Sequence, residues 1–375
     1  METDRFSRVR AFFKKETVLC IAAALAVLSM FLVPPDGAYP GYIDTRTLCL
    51  LFSLMAVVAG FRDAGTFSAL SHALLSCVKT ARGVVLCLVL VCFFTSMLIT
   101  NDVSLLTFVP LAILLLQSAG LGRLTLLTVT LQTVAANLGS MLTPIGNPQN
   151  LYLYALSGMG IGDFFLTLLP YAALSLALLV LACLFVRHEA IPPQTAERPA
   201  RCLKTELLCA ALFVLCLLCV LRVLESWVAA LVTAFALLVY KRRLLLRVDY
   251  GLLLTFVCFF VFIGNMGRIE PVRAFLSGFI AGREMLTGAL LSQVISNVPA
   301  AMLLSAFTSN YAELLIGVNV GGLGTLIASL ASLISYKLYC SAEGARPKNY
   351  LLVFTAVNAA FFVLLTILWF FLKNT

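Results

Sequence analysis

The chain has 375 residues, of which 62% are hydrophobic and only 11% charged, with a net charge of +9 and a mean hydropathy of +1.04. An average soluble chain carries about 25% charged residues, so a soluble fold is excluded and an all-α polytopic membrane protein is predicted. The charge is accounted for by topology and calls for no nucleic-acid partner.

Residues 1–16 form a basic lead with Arg5, Arg8, Arg10, Lys14 and Lys15, placed on the cytoplasmic face. Phe6, Phe12 and Phe13 suit the lipid interface. Residues 17–33 are a first span with no cleavage site after them, followed by a turn-rich outer loop at 34–46 and a second span at 47–60. Residues 64–80 lie along the cytoplasmic face as an amphipathic segment. Residues 82–117 are two apolar arms around the tip Thr100-Asn101-Asp102. The first arm is nearly long enough to cross and the second is not, since a span needs about 20 residues. A re-entrant hairpin fits those lengths. A broken helix at 124–156 crosses outward and 164–186 crosses back. Residues 187–204, with Pro192-Pro193, form a polar cytoplasmic linker.

The second half repeats this order. Spans at 206–221 and 226–240 are followed by one at 252–264, a surface segment at 270–283, and a second hairpin at 284–307 with its tip at Ser296-Asn297. Residues 311–339 hold a second broken helix, in which Glu313 and Lys337 reach to water, and 351–372 are the last span. The domains are therefore the lead 1–16, an N-terminal transport repeat 17–186, the linker 187–204 and a C-terminal inverted repeat 205–375. This tracing leaves only Arg46, Arg222, Arg268, Arg273, Arg283 and Lys373 outside, of 26 Lys and Arg, as the positive-inside rule requires. The location is a cell (inner or plasma) membrane.

Residues 131–150, LQTVAANLGSMLTPIGNPQN, carry the functional argument. Gly139 and Gly146 weaken a helix, and Pro144 and Pro148 each remove a donor. Thr143-Pro144 and Asn147-Pro148 read as N-caps followed by proline at the first helical position. One helix should stop near Asn137 and another start by Asn147. Irregular backbone at membrane depth survives only inside protein or beside water, and marks a binding site in carriers. Asn319, Gly321 and Thr325 match Asn137, Gly139 and Thr143 at the same offsets.

The fragments TNDVSLLTFVPLAILLL, ANLGSMLTPIGNPQNLYLY, SNVPAAMLL and GGLGTLIASLASL resemble the ion transporter superfamily, within it the arsenite permease/sodium–proton antiporter branch and its citrate-transporter-like relatives. Divalent anion–sodium symporters of this superfamily read Ser-Asn-Thr at each tip. Here the third place is Asp102 in one tip and Val298 in the other, and the Asp at the first tip is closer to the arsenite permease/antiporter pattern. The resemblance implies a homodimer.

Helix N-termini at the tips and breaks favour an anion. The free carbonyls that precede them suit Na⁺. Thr100, Asn101, Asp102, Asn137, Gly139, Thr143, Gly146, Asn147, Ser296, Asn297, Asn319, Gly321 and Thr325 form the candidate site, with Na⁺ ligands among Asn101, Asp102, Asn137, Asn297 and Asn319. Asp102 is the one carboxylate placed deep in the bilayer, and such acids are functional by default. The expected activity is secondary active transport of a small inorganic or organic anion coupled to Na⁺ or H⁺, with no cofactor beyond the coupling ion. A Na⁺/H⁺ antiporter or an arsenite-type efflux permease is the alternative. A membrane-embedded enzyme is more distant, because no nucleophile–base pair, paired acids or metal-ligand spacing occurs, and so is a structural subunit, which would not need two duplicated helix breaks; no P-loop for nucleotide-driven pumping is found. The twelve cysteines, in apolar runs, act as small hydrophobes.

Overall fold

The structure, a computed structural model, describes residues 16–75, 78–190 and 200–374. The basic lead, the middle of the linker and the His72 side chain lie outside the described residues. Every regular element described is helical, beside one isolated bridge between Thr80 and Ala190.

The first half runs α1 (Thr17–Leu32), the one-turn α2 (Tyr39–Tyr42), α3 (Thr45–Asp63), α4 (Thr66–Leu75), α5 (Ala81–Thr95), α6 (Asn101–Ser118), α7 (Thr125–Ser140), α8 (Pro148–Ser157) and α9 (Ile161–Leu184). The pair α10 (Leu203–Val220) and α11 (Ser226–Lys241) comes next. The second half runs α12 (Tyr250–Arg268), α13 (Glu270–Ile280), α14 (Glu284–Ile295), α15 (Asn297–Ser305), α16 (Tyr311–Val320), α17 (Leu330–Cys340) and α18 (Pro347–Lys373). From α3 to α9 and from α12 to α18 the order is the same: long helix, surface helix, hairpin, interrupted helix, long helix. Both series start on an Asp cap. Asp44 Oδ1 accepts from Thr47 N–H at 3.1 Å and Asp249 Oδ1 from Leu252 N–H at 2.9 Å.

Six of these helices, α3, α6, α9, α10, α12 and α18, are long and apolar enough to cross a bilayer. Large apolar side chains such as Phe31, Phe235 and Phe371 are exposed on the outer helices. Water would not tolerate that surface and lipid requires it. α1 packs along α12, and α10 and α11 pack along α3.

The second hairpin arm, expected to be too short to cross, is the longer one. α6 spans 18 residues against 15 for α5, because Asn101 and Asp102 lie in its first turn and not in the tip. Pro110 sits inside α6 without ending it. α5 and α6 fold back on each other, with the Thr95 and Ser104 hydroxyls 3.0 Å apart. Glu313 is half-buried, and its Oε2 accepts from Trp369 Nε1 at 2.6 Å, which ties α16 to α18.

Polar contacts sort onto two faces. On one, Asp63 pairs with Arg247 and Lys241, Arg123 with Glu189, and Arg201 with Glu206. On the other, Arg268 pairs with Asp36, Arg222 donates to the Gly158 and Tyr154 carbonyls, and Lys373 donates to Gly282 O.

Candidate functional site

The first interruption begins one turn later than the sequence suggested. α7 stays helical through Ser140, a 3₁₀ turn occupies Pro144–Gly146, and α8 starts at Pro148. Gly139 does not end the helix; it allows a close approach. A Cβ there would strike the Phe93 carbonyl at the end of α5. Likewise a Cβ on Gly146 would strike the Ser140 carbonyl. Both prolines take the first helical position, as expected, yet Thr143 and Asn147 make no side-chain cap. Their polar atoms are used for longer reaches. Thr143 Oγ1 donates to Met97 O in the hairpin tip, and Asn147 Nδ2 donates to Ser140 Oγ at 2.6 Å.

In the second interruption α16 ends at Val320 and α17 resumes at Leu330, so the gap extends past Thr325 to Ser329. A Cβ on Gly321 would lie 2.8 Å from Ala289 Cα and from Ser292 Cβ of α14. Thr325 Oγ1 donates to Gln293 O at 3.0 Å. These contacts copy the first half. Gly139 and Gly321 seat on the hairpin arm at matching residues, and Thr143 and Thr325 donate to matching carbonyls. Gly139, Gly146 and Gly321 thus sit where backbones touch, and Thr325 is exposed and bonded to the hairpin.

The two interruptions are bonded to each other by a reciprocal pair. Asn137 Nδ2 donates to Ser332 Oγ at 3.2 Å, and Asn319 Nδ2 donates to Asn150 Oδ1 at 2.7 Å. Asn137 is the hub: its Oδ1 also accepts from Asn101 Nδ2 at 2.9 Å and Ser329 Oγ at 3.0 Å. Four elements, the first turn of α6, α7, the second gap and α17, meet at one buried carboxamide. Asn150 closes the first gap by donating to the Ser140, Met141 and Thr143 carbonyls.

The second tip is a single residue. Ser296 sits at φ 74°, ψ 154° between α14 and α15, a region essentially reserved for glycine and costly by about 1–3 kcal/mol elsewhere. It is held by Asn297 N–H donating to Ala328 O at 3.0 Å. The Asn297 carboxamide lies against Gly322. Among the five buried side-chain amide oxygens without a hydrogen-bond partner in the described residues, Asn147 Oδ1 and Asn319 Oδ1 lie at the two interruptions. Buried polar atoms are rarely left so, and an amide oxygen is a suitable ligand for a hard cation.

Thr100 and Asp102 face a cavity of about 590 Å³. It is lined on α3 by Leu51, Met55, Val58 and Arg62, and Arg247 and Asp249 also line it. Counting from the capping Asp of each series, the places of Leu51 and Met55 are taken on α12 by Phe256 and Phe260. There Tyr152 fills the space. Its ring lies 5.8 Å from Phe260 and 6.5 Å from Phe256, and its hydroxyl pairs with Ser305 Oγ at 2.9 Å. At the matching place in the second half, aromatic packing stands where the first half has the cavity wall.

Sequence reasoning passed over Asn150, Ser329, Ser332, Gln293 and Tyr152. Asn150 and Ser332 stand at the same offset as Asn137 and Asn319, so carrying the internal alignment a few residues further would have found them. Tyr152 left no polar signal in an apolar run.

Residues 10–319 match the family described as citrate transporter. An uncharacterized transporter of Methanocaldococcus jannaschii is 32% identical over 337 residues, covering 90% of this chain and 92% of that one. The inner membrane protein YbiR of Escherichia coli K12 is 34% identical over 324 residues, covering 83% and 84%. A silicon efflux transporter of Oryza sativa subsp. japonica is 30% identical over 171 residues, covering 45% of this chain and 35% of its own.

Proposed function

The chain belongs to the citrate transporter family and is a membrane transporter, and from that premise we propose that it moves a small anion by secondary active transport coupled to Na⁺ or H⁺. The observation that carries this reading is the convergence of both helix interruptions and the first turn of α6 on Asn137, beside a cavity lined by Asp102, whose carboxylate has no hydrogen-bonding partner among the described residues. In this reading the halves are inverted repeats, and the face bearing Arg123, Lys241 and Arg247 is cytoplasmic. The cavity is then the inward-open vestibule, and Tyr152 with Phe256 and Phe260 is the closed outer gate. Asp102 takes the coupling cation, and Asn147 and Asn319 offer amide oxygens to Na⁺. Without its cation, an ionised Asp102 would repel the anion. Cation binding therefore precedes or accompanies anion binding, which is coupling in physical terms. The assembly is proposed as a homodimer.

The test is flux into proteoliposomes of purified protein under an imposed Na⁺ or pH gradient, with a panel of organic and inorganic anions. Accumulation of an anion that collapses when the gradient is dissipated is expected. Flux indifferent to both gradients overturns the coupling. A second reading, efflux of a neutral hydroxylated solute, is favoured by the similarity to the rice silicon efflux transporter. Silicic acid in the same assay separates the two.

A further inference from the structure

We propose that Arg62 binds the charged group of the substrate and that the substrate is an organic anion with an apolar body; this rests on the carrier reading above. Four charged side chains line the cavity: Arg62, Asp102, Arg247 and Asp249. Two are committed elsewhere. Arg247 Nη1 is 2.7 Å from Asp63 Oδ1, and Asp249 caps α12 through Leu252 N–H at 2.9 Å. Asp63, the nearest acid in sequence to Arg62, is taken by Arg247 and Lys241. Among the described residues Arg62 has no ion pair or side-chain hydrogen bond. Nor does the Asp102 carboxylate. The cavity therefore holds two uncommitted charges of opposite sign, one for a coupling cation and one for an anion.

The wall between them decides the class of anion. Leu51, Met55, Val58 and Arg62 recur at helical spacing on the cavity face of α3, and Val103, Leu106, Leu252 and Ile334 close the other sides. A strongly hydrated oxyanion would lose its water against that surface without replacement. A carboxylate on an apolar body places its charge at the guanidinium, which presents a fork matched to it, and its body along the stripe. Counted from the capping Asp, Gly267 stands on α12 where Arg62 stands on α3. Arg62 is therefore no part of the packing that the two halves share.

The experiment uses the full chain, purified in detergent, and equilibrium dialysis with labelled hexanoate, phosphate and silicic acid. Hexanoate is expected to bind the unsubstituted protein and to bind Arg62→Gln about 10–100-fold more weakly, as loss of a charge-assisted bond implies. Arg62→Lys, which keeps the charge and loses the fork, should fall between them and serves where Arg62→Gln does not fold. Equal affinity of the unsubstituted protein and the substituted one overturns the proposal. So does binding of phosphate or silicic acid with none of hexanoate. That last outcome, paired with gradient-driven flux of the solute that binds, leaves the carrier reading standing. Absence of gradient-driven flux with hexanoate bound through Arg62 does the reverse.

Discussion

Replacing Asn137 by Ala should cost far more stability than replacing Asn319, although the two stand at matched positions. Asn137 makes three well-formed side-chain bonds, with Asn101 at 2.9 Å, Ser329 at 3.0 Å and Ser332 at 3.2 Å. All four residues are buried. None of the three partners' bonding atoms has another side-chain bond in the network, so truncation strands three polar groups. At a net value of about 1 kcal/mol per buried bond the loss is about 3 kcal/mol. Asn319 donates twice, to Asn150 Oδ1 at 2.7 Å and Leu315 O at 2.8 Å, while its own oxygen is unpartnered. Truncation loses those two bonds and removes one buried orphan, so the net cost is about 1 kcal/mol or less. The expected difference of about 2 kcal/mol is roughly 30-fold in the folding equilibrium. Reversible SDS unfolding in mixed micelles measures it. If Asn137→Ala stays within 1 kcal/mol of the unsubstituted protein, or Asn319→Ala is the costlier change, the hub is not what joins the halves.

Gly139→Ala should lower stability by about 1–3 kcal/mol despite the better helix propensity of Ala, because the methyl meets the Phe93 backbone carbonyl and not a movable side chain; the same titration reads it. Cys202 should be the first thiol to react with a maleimide at neutral pH. It is exposed, and the hydrogen bond from the Thr205 hydroxyl, helped by nearby Lys241, holds it below its usual range, while Cys92, Cys183 and Cys216 are buried; Cys202→Ser should remove the fast phase. Tyr152→Ala should open the closed face. A Ser305→Cys probe, silent to an impermeant maleimide alone, should then label in the double variant.

The order of elements was legible because it is written in long apolar runs and in Gly, Pro and Asn interruptions. Asn101, Asn137 and Asn319 stand out in the sequence as amides among apolar residues, and in the fold each has a buried side-chain partner. The misreadings have a common cause. Asn101 and Asp102 look like tip residues and Asn137 like a helix end, since polar residues usually mark ends. Here Asn101 begins α6 and Asn137 lies inside α7, and their side-chain bonds are made across the fold. Thr143 and Asn147 read as caps for the same reason, yet reach the hairpin and Ser140 instead. In the sequence nothing sets Arg62 apart from the other Lys and Arg on the cytoplasmic side of the tracing. Only the neighbours that leave it unpaired show that it faces a cavity, and those neighbours come from the loop before α12, remote in sequence.

The central claim is that Asp102 couples a cation to solute movement. The most direct measurement compares Asp102→Asn with the unsubstituted protein in proteoliposomes, following solute uptake with and without a Na⁺ or pH gradient. The amide keeps the shape and removes the ionisable group. The account predicts uptake that no longer responds to either gradient, in a protein whose unfolding midpoint is unchanged. Gradient-driven accumulation in Asp102→Asn equal to that of the unsubstituted protein would contradict it.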